Sequence, residues 1–155
     1  MKEHPPSPMI RLLTRLRDSR LVWDTMGSLY NQRIYKAIIE LYNQVARMYT
    51  PAGQIRIMDV GSGRGYISLQ LAAWNPRSMI TGIDYSSMQV RRAEKLRQKR
   101  KITNCSFSGG NAMKIVFQDN LFDAAVSIGS IKHWPDGFGG LREIHRVLKP
   151  GGRLV

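Results

Sequence analysis

The residues best suited to chemistry in this 155-residue chain form a glycine-rich run after an apolar segment. Asp59 precedes three glycines spaced two apart, Gly61, Gly63 and Gly65, with Ser62 between the first two. Glycine adopts backbone angles that other residues resist, and its missing side chain lets a ligand lie against the main chain. A helix beginning after the glycines would add unpaired N–H donors at the positive end of its dipole. The run therefore predicts a cradle for a nucleotide-type ligand.

Three further groups are predicted at the same edge, because ligands of open parallel sheets bind beyond the carboxyl ends of the strands. These groups are Asp84, Gly110-Asn111-Ala112 and Ser127-Ile128-Gly129. A carboxylate after the second strand is well placed to accept hydrogen bonds from both hydroxyls of a ribose. The alternatives are structural: the glycines could only form turns, and Asp84 could only cap the next helix.

The glycine spacing helps to distinguish the ligand. Gly-x-Gly-x-Gly differs from the Gly-x-Gly-x-x-Gly of dinucleotide-binding proteins. The run also lacks the Gly-Lys-Ser/Thr ending of ATPase-type phosphate loops. The glycine run alone is a weak signal, whereas four groups in the expected order are a strong one.

The elements that must position these groups alternate between strand and helix from residue 54 onward. Apolar and β-branched segments predict strands at 55–60, 79–84, 104–108 and 122–128, with a fifth beginning at 153–155. Helices are predicted at 66–74, from a cap at Ser86 or Ser87 through Arg100, and at 140–148. This alternation predicts an α/β domain over 51–155, with a mainly parallel sheet covered by helices on both faces.

The first fifty residues show a different, helical pattern. A basic amphipathic helix is predicted from Ile10 to Val22, and apolar residues recur at helical spacing from Ile34 to Tyr49. Residues 1–50 are therefore predicted to form a helical cap. Trp23, Met26 and Tyr30 could close a ligand pocket or simply pack in a core.

Composition limits the classes of partner and compartment. The net charge of +13 favours nucleic acid, acidic surfaces or anionic substrates as partners, although charged helices often only face solvent. The single Cys105 allows no internal disulfide, and no cluster of Cys or His predicts a metal site. No run is long and apolar enough to span a bilayer, and no secretory signal precedes the domain, so we expect a cytoplasmic protein.

From Ile57 to Val155 the chain resembles the class I methyltransferases that use S-adenosylmethionine. It is most similar to the group that includes ubiquinone/menaquinone and other small-molecule methyltransferases. The resemblance covers about two thirds of the chain, and it depends on the runs Asp59-Val60-Gly61-Ser62-Gly63-Arg64-Gly65, Gly82-Ile83-Asp84-Tyr85-Ser86, Ile131-Lys132-His133-Trp134-Pro135-Asp136 and Leu141-Arg142-Glu143-Ile144-His145-Arg146-Val147-Leu148-Lys149-Pro150-Gly151-Gly152. It implies a Rossmann-like fold with S-adenosyl-L-methionine as cofactor and a small-molecule methyl acceptor.

The resemblance also implies roles for the glycine run and its neighbours. Asp59 would orient the glycine loop or meet the methionine ammonium, directly or through water. The loop of Gly61, Ser62, Gly63 and Gly65 would let the backbone approach the amino-acid end of the cofactor. Asp84 would hold the ribose hydroxyls.

The remaining implied contacts are to the adenine and the reacting methyl. Tyr85 would pack on the adenine face, and Asn111 and Ala112 would border its edge; many relatives have Asp where Asn111 stands. Ser127 or Ile128 would contribute backbone near the methionine. His133 is the one side chain near the presumed methyl that could accept a proton, although it could also only hold its loop.

Two expectations concern what lies beyond the cradle. Relatives continue past the fifth strand, so we expect the 155 residues to be a piece of a longer protein, with acceptor-pocket segments absent. An exposed strand-five edge could pair two copies into a homo-oligomer. The alternatives to small-molecule methylation are an RNA or DNA methyltransferase, favoured by the charge, and a non-catalytic S-adenosylmethionine-binding module.

Overall fold

The domain is built around a five-stranded parallel sheet, as the alternation of strand and helix predicted. A computed structural model of the protein describes residues 53–155. The strands are β1 (Arg56–Val60), β2 (Met79–Asp84), β3 (Cys105–Gly109), β4 (Phe122–Val126) and β5 (Leu148–Leu154). They lie in the order β3-β2-β1-β4-β5, and each neighbouring pair is parallel. We call the edge at which the strands end the carboxyl edge, and the opposite one the amino edge.

Three α-helices and one short 3-10 helix connect the strands in the described part of the chain. They are α1 (Tyr66–Trp74), α2 (Ser87–Lys99), the 3-10 helix (Ile131–His133) and α3 (Gly137–Val147). Of the two predicted caps of α2, Ser86 and Ser87, the structure shows Ser86, whose hydroxyl accepts a hydrogen bond from the Gln89 N–H at 3.2 Å. The predicted helical cap over residues 1–50, with Trp23, Met26 and Tyr30, lies outside the described residues.

The helices cover both faces of the sheet, which confirms the predicted α/β class. One core cluster packs α1 and α2 against one face, and a second packs α3 against the other. Neighbours along β1 alternate between the clusters, since Ile57 belongs to the first and Met58 to the second. Burial on both faces explains why the strands read as continuous apolar runs. Cys105, 3% exposed, lies in the first cluster at the start of β3.

The predicted boundaries of two elements near the end of the chain are wrong. Helix α3 begins at Gly137 instead of 140, because the Asp136 carboxylate caps it by accepting from the Gly139 N–H at 2.7 Å. The helix ends at Val147, and β5 begins at once with Leu148 beside Phe122. The pairing then shifts before it resumes at Arg153 beside Ala124. Gly151 (φ +78°) lies within this irregular stretch, so glycines that usually end a helix here form a bulge inside a strand.

Candidate functional site

The glycine loop is held at the carboxyl edge by the backbone of β2. The N–H groups of Gly61 and Ser62 donate to the carbonyl of Ile83 at 2.8 and 3.0 Å. Gly61 has φ +77°, and a Cβ at this position would collide with the Ser130 side chain. Both the conformation and the packing therefore require glycine here. Ser130 in turn donates to the carbonyl of Val60 at 2.8 Å, so the loop is supported from β2 and from the segment after β4.

Asp84 joins the glycine loop to helix α2. Its Oδ2 accepts from the Gly63 N–H at 2.7 Å, and its Oδ1 accepts from the Ser86 N–H at 2.8 Å. Gly63 also has a positive φ, +54°. A carboxylate oxygen can accept more than one hydrogen bond, so these two bonds leave Asp84 chemically suited to hydroxyl donors. The structure thus brings Asp84 and the glycine loop into direct contact, as the shared edge predicted.

A single aromatic ring supports the loop from below. A Cβ on Gly65 or on Gly82 would collide with the ring of Phe107, and a Cβ on Gly82 would also meet Ser62 Oγ at 2.9 Å. Gly65 caps α1 with φ +75°. Ser62 is 4% exposed, so its side chain is buried towards the sheet. Ser62 and Gly65 therefore lie on the buried side of the loop, where they pack against β2 and Phe107.

Asp59 lies buried at the end of β1, with 2% of its surface exposed. The hydroxyl of Ser68 in α1 donates to Asp59 Oδ2 at 2.6 Å. Burial raises the pKa of Asp59 to about 7, and the nearby negative charge of Asp84 adds to the rise while the Ser68 hydrogen bond opposes it. The buried carboxyl group therefore changes its charge near neutral pH.

Asn111 and Ala112 lie in the loop that follows β3. Asn111 Oδ1 accepts from the Met113 N–H at 2.9 Å, which closes a local turn, and Ala112 packs partly buried against the second core cluster. The same loop is fastened to α3 farther along. Glu143 Oε2 accepts from the Ile115 N–H at 2.8 Å, and Arg146 donates to the carbonyls of Ile115 and Phe117 at 2.7 and 2.9 Å.

Glu143 and Arg146 also hold each other. Arg146 Nε donates to Glu143 Oε1 at 2.9 Å, and a second guanidinium nitrogen donates to Oε2 at 2.8 Å. A third nitrogen reaches Asp119 Oδ1 at 2.6 Å. These hydrogen bonds from Arg146 keep the pKa of Glu143 below its usual value. The pair thus acts as a clamp between α3 and the loop that carries Asn111.

The residues after β4 border the site together with the glycine loop and the loop after β3. Ser127 Oγ donates to the carbonyl of Val60 at 3.1 Å and lies 2.7 Å from Ser130 Oγ. The Ser127 N–H donates to the carbonyl of Val155, and Ile128 packs partly buried against the first core cluster. His133 ends the 3-10 helix, and its N–H donates to the carbonyl of Ser130 at 2.9 Å.

Tyr85 directly follows Asp84 and is 49% exposed at this edge. The predicted groups thus follow the ends of β1, β2, β3 and β4, and they flank the point between β1 and β4 where the strand order reverses. Open α/β sheets bind ligands at this position. The assignment of each residue to a ligand atom stays a prediction.

Sequence reasoning missed four residues that support the site. Ser68 and Ser130 are small polar residues with no special spacing, so no pattern marks them. Phe107 was recognisable as an inward position of β3, but not as the partner of two glycines. Arg146 lay within a quoted motif, and only the structure shows which loop it holds.

Residues 53–155 contain neither a candidate metal cluster nor a helix that could span a membrane. Within this range, no group of three or more His, Cys, Asp or Glu side chains is arranged to hold a metal ion. No helix in the same range is long and apolar enough to cross a bilayer.

Comparisons with known proteins agree with the fold and its motifs. A family described as "Methyltransferase domain" matches residues 52–155. The chain is 39% identical over 114 residues to the ubiquinone/menaquinone biosynthesis C-methyltransferase UbiE of Geotalea daltonii, covering 69% of the chain and 46% of that protein. It is 36% identical over 99 residues to the chloroplastic 2-methyl-6-phytyl-1,4-hydroquinone methyltransferase of Arabidopsis thaliana, covering 64% of the chain and 28% of that protein. The chain therefore spans less than half the length of these curated relatives.

Solved structures give the same fold. The [4+2]-cyclase SpnF is 38% identical and superposes with a TM-score of 0.71, over 74% of this chain and 42% of that one. A putative S-adenosylmethionine-dependent methyltransferase of Methanococcus maripaludis, 24% identical, has a TM-score of 0.74 over 99% of this chain and 65% of that one, and it supports the fold alone. Together with the family match, these similarities confirm the resemblance seen in the motifs: the chain belongs to the methyltransferase domain family, within the class I methyltransferases that use S-adenosylmethionine.

Proposed function

We propose that this chain forms the S-adenosylmethionine-binding domain of an enzyme that methylates a small molecule. The observation that carries the proposal is the Asp84 carboxylate, which ends β2 and contacts both Gly63 and Ser86. A carboxylate held beside a glycine loop suits a ribose, whose hydroxyls donate hydrogen bonds, better than a phosphate, which it would repel.

The cofactor would be held by residues from all three sides of the site. Asp84 would accept from the ribose hydroxyls, and the backbone around Gly61 and Gly63 would face the methionine part. Asp59 would influence the methionine ammonium through its charge, since it is buried beneath the loop. Tyr85 would pack on the adenine, with Asn111 and Ala112 at its edge. Ser127 or Ile128 would supply backbone contacts near the methionine.

The bound cofactor supplies a methyl group on a sulfonium, which is already a good leaving group. The task left to the protein is to align the acceptor with that methyl and to exclude water, and proximity of this kind can supply much of the rate. His133 is our candidate for accepting a proton from the acceptor. A His133→Gln variant should then lose methyl transfer while keeping cofactor affinity; equal activity would remove His133 from the catalytic group.

The names of the relatives support a small-molecule acceptor. They include methyltransferases of a phytyl hydroquinone, of 27-O-demethylrifamycin SV and of cycloartenol. The [4+2]-cyclase among the similar structures shows that this fold also serves other reactions, so methyl transfer needs its own measurement.

Titration calorimetry with S-adenosylmethionine and NAD tests the cofactor proposal. We expect binding of the first only, and we expect Asp84→Ala to weaken it by roughly 1–3 kcal/mol through loss of charge-assisted hydrogen bonds. Asp84→Asn separates the charge from the shape of the side chain. Asp123→Asn, at the amino edge where Asp123 meets Arg56 and Lys149, is the matched control. Unchanged affinity in both Asp84 variants would remove Asp84 from the site, and a preference for NAD would overturn the proposal.

A labelled methyl donor tests the reaction. The native, full-length product should transfer the label to a small-molecule fraction and not to RNA or DNA. Labelling of nucleic acid would favour the nucleic-acid methyltransferase alternative, and cofactor binding without any labelling would favour a non-catalytic module. The cytoplasmic location and the homo-oligomer through the β5 edge stay predictions, to be checked by cell fractionation and by sedimentation.

A further inference from the structure

A large share of the positive charge of the chain lies in and just after helix α2. Residues 87–101, from the start of α2 to the turn before β3, contain seven Lys or Arg and a single Glu. Their net charge of +6 is nearly half of the +13 of the whole chain. Arg97 is accounted for within the domain, since it pairs with Glu94 at 2.8 Å and donates to the carbonyl of Ile102. The basic residues that follow it are exposed.

The end of α2 meets other basic residues at the amino edge. A helix between two parallel strands runs antiparallel to them, so the end of α2 lies where β3 and β2 begin. Five exposed basic side chains lie along the starts of three adjacent strands, and we call them the basic strip: Arg56, Arg77, Lys99, Arg100 and Lys101. The strip is opposite the glycine loop, so an acceptor bound near the cofactor cannot be what it contacts.

The backbone under the strip is firmly held. Asn104 Nδ2 lies 2.9–3.0 Å from the carbonyl oxygens of Ala72, Asn75 and Ser78, which share its two N–H donors, and this ties the turn before β2 to the start of β3. The Met79 N–H donates to the carbonyl of Ile55 at 2.9 Å, which ties β2 to β1. The basic side chains therefore extend from a fixed base.

Charge within the domain leaves the strip largely uncompensated. In the described part of the chain, none of the five side chains forms an ion pair. Asp123 lies close to Arg56, but its carboxylate pairs with Lys149 at 2.7 Å. Basic residues at the end of α2 do stabilise the helix dipole. That effect accounts for Lys99 and Arg100, but not for Arg56.

One exposed apolar side chain, that of Met79, lies beside the basic strip and favours one class of partner. Met79 opens β2 beside Arg56 in the pairing register, follows Arg77 by two residues, and is 50% exposed. Basic side chains around an exposed apolar one suit the boundary between headgroups and acyl chains. Single-stranded nucleic acid is instead bound through aromatic platforms, and the strip has none among its residues. We propose that the basic strip docks the domain on a bilayer that contains anionic phospholipid, with the cofactor edge facing away from the membrane.

Cosedimentation with vesicles of phosphatidylcholine, with or without phosphatidylglycerol, tests the proposal. The chain should bind only the anionic vesicles, and salt should weaken the binding. Each basic residue near such a surface contributes about fivefold, so Arg77→Gln/Lys99→Gln/Arg100→Gln should weaken the partition coefficient on the order of 100-fold. Its affinity for S-adenosylmethionine should not change, because the cofactor site lies at the other edge.

The control removes the same charge elsewhere. Lys114→Gln/Arg142→Gln/Arg153→Gln alters three exposed basic residues outside the strip and should bind vesicles far better than the strip variant. Met79→Gln should weaken the binding that remains at high salt, since burial of an apolar side chain is not screened. Equal loss in the control, unchanged binding in the strip variant or in Met79→Gln, or tighter binding to an RNA oligonucleotide that the strip variant loses, would each overturn the proposal.

Discussion

Two aspartates at the same edge of the sheet serve different purposes because their surroundings differ. Asp84 is partly exposed and accepts hydrogen bonds from two backbone N–H groups. Asp59 is almost fully buried and has one hydroxyl donor, so burial dominates and raises its pKa to about 7. We therefore expect the first to bind the ligand and the second to place a titratable charge close to it.

The raised pKa of Asp59 predicts how stability depends on pH. The folded state holds this proton up to about pH 7, whereas the unfolded chain releases it near pH 4, so the free energy of unfolding falls as pH rises between these values. Asp59→Asn removes the charge and keeps an acceptor for Ser68. Urea unfolding should therefore show the variant more stable than the wild type at pH 8, by on the order of a few kcal/mol, with a smaller difference at pH 5.

Asp123→Asn is the control with the opposite sign. Hydrogen bonds from the Arg56 N–H and Lys149 outweigh the effect of burial and lower the pKa of Asp123, so its contribution to stability is present above pH 4 and is lost in acid. The variant should be less stable than the wild type at neutral pH. A constant difference between Asp59→Asn and the wild type from pH 5 to 8 would contradict the assignment to Asp59.

At the scale of elements, the loops of the site depend on neighbours that are distant in sequence. The glycine loop is supported by β2, by Ser130 and by Phe107, and the loop after β3 is clamped to α3 by Glu143 and Arg146. A ligand at this edge would therefore meet loops whose positions are set from several sides, which is what pre-organised binding requires.

Removing the planar guanidinium of Arg146 should lower both the stability of the domain and its affinity for the cofactor. Arg146→Lys keeps the charge but cannot make the paired bonds to Glu143 together with those to Ile115 and Phe117. We expect the free energy of unfolding to fall by about 1–3 kcal/mol, because several partly exposed hydrogen bonds are lost together. Affinity for the adenosine part of the cofactor should fall as well, since Asn111 lies in the clamped loop.

Arg142→Lys is the matched control on the same helix. Arg142 is mostly exposed and lies 3.5 Å from Asp136, so its change should stay within about 0.5 kcal/mol of the wild type. Equal unfolding curves for Arg146→Lys and Arg142→Lys would show that the clamp contributes nothing.

Local patterns in the sequence predicted the elements whose boundaries are set locally. The range of α1 follows from the glycine turn, and the serines narrowed the cap of α2 to Ser86 or Ser87, of which the structure shows Ser86. The start of α3 was mispredicted because Gly137 and Gly139 disfavour a helix, and Gly140 leaves the space in which Trp134 packs. Such choices depend on tertiary neighbours, as do the roles of Ser130 and Phe107. The ligand edge was predictable because parallel strands end together.

At the scale of the molecule, the sheet separates two surfaces. The carboxyl edge carries the glycine loop, Asp84 and the segment after β4, while the amino edge carries the basic strip. The two surfaces can therefore be altered independently, which is why the cofactor and vesicle measurements have separate outcomes. The carboxyl edge and the amino edge nevertheless belong to one folding unit, because both core clusters include residues from each central strand of the sheet.

The buried thiol of Cys105 offers a probe of that unit. It is the single cysteine of the chain, and burial raises its pKa to about 12, so it is shielded from a thiol reagent while the sheet is closed. Two residues farther along β3, Phe107 supports the glycine loop. The rate at which the thiol is modified should therefore report the opening of β3, which supports the glycine loop. Saturation with S-adenosylmethionine at about 100 times its Kd should slow this modification about 100-fold. An unaltered rate would mean that β3 detaches without disturbing the cradle above it.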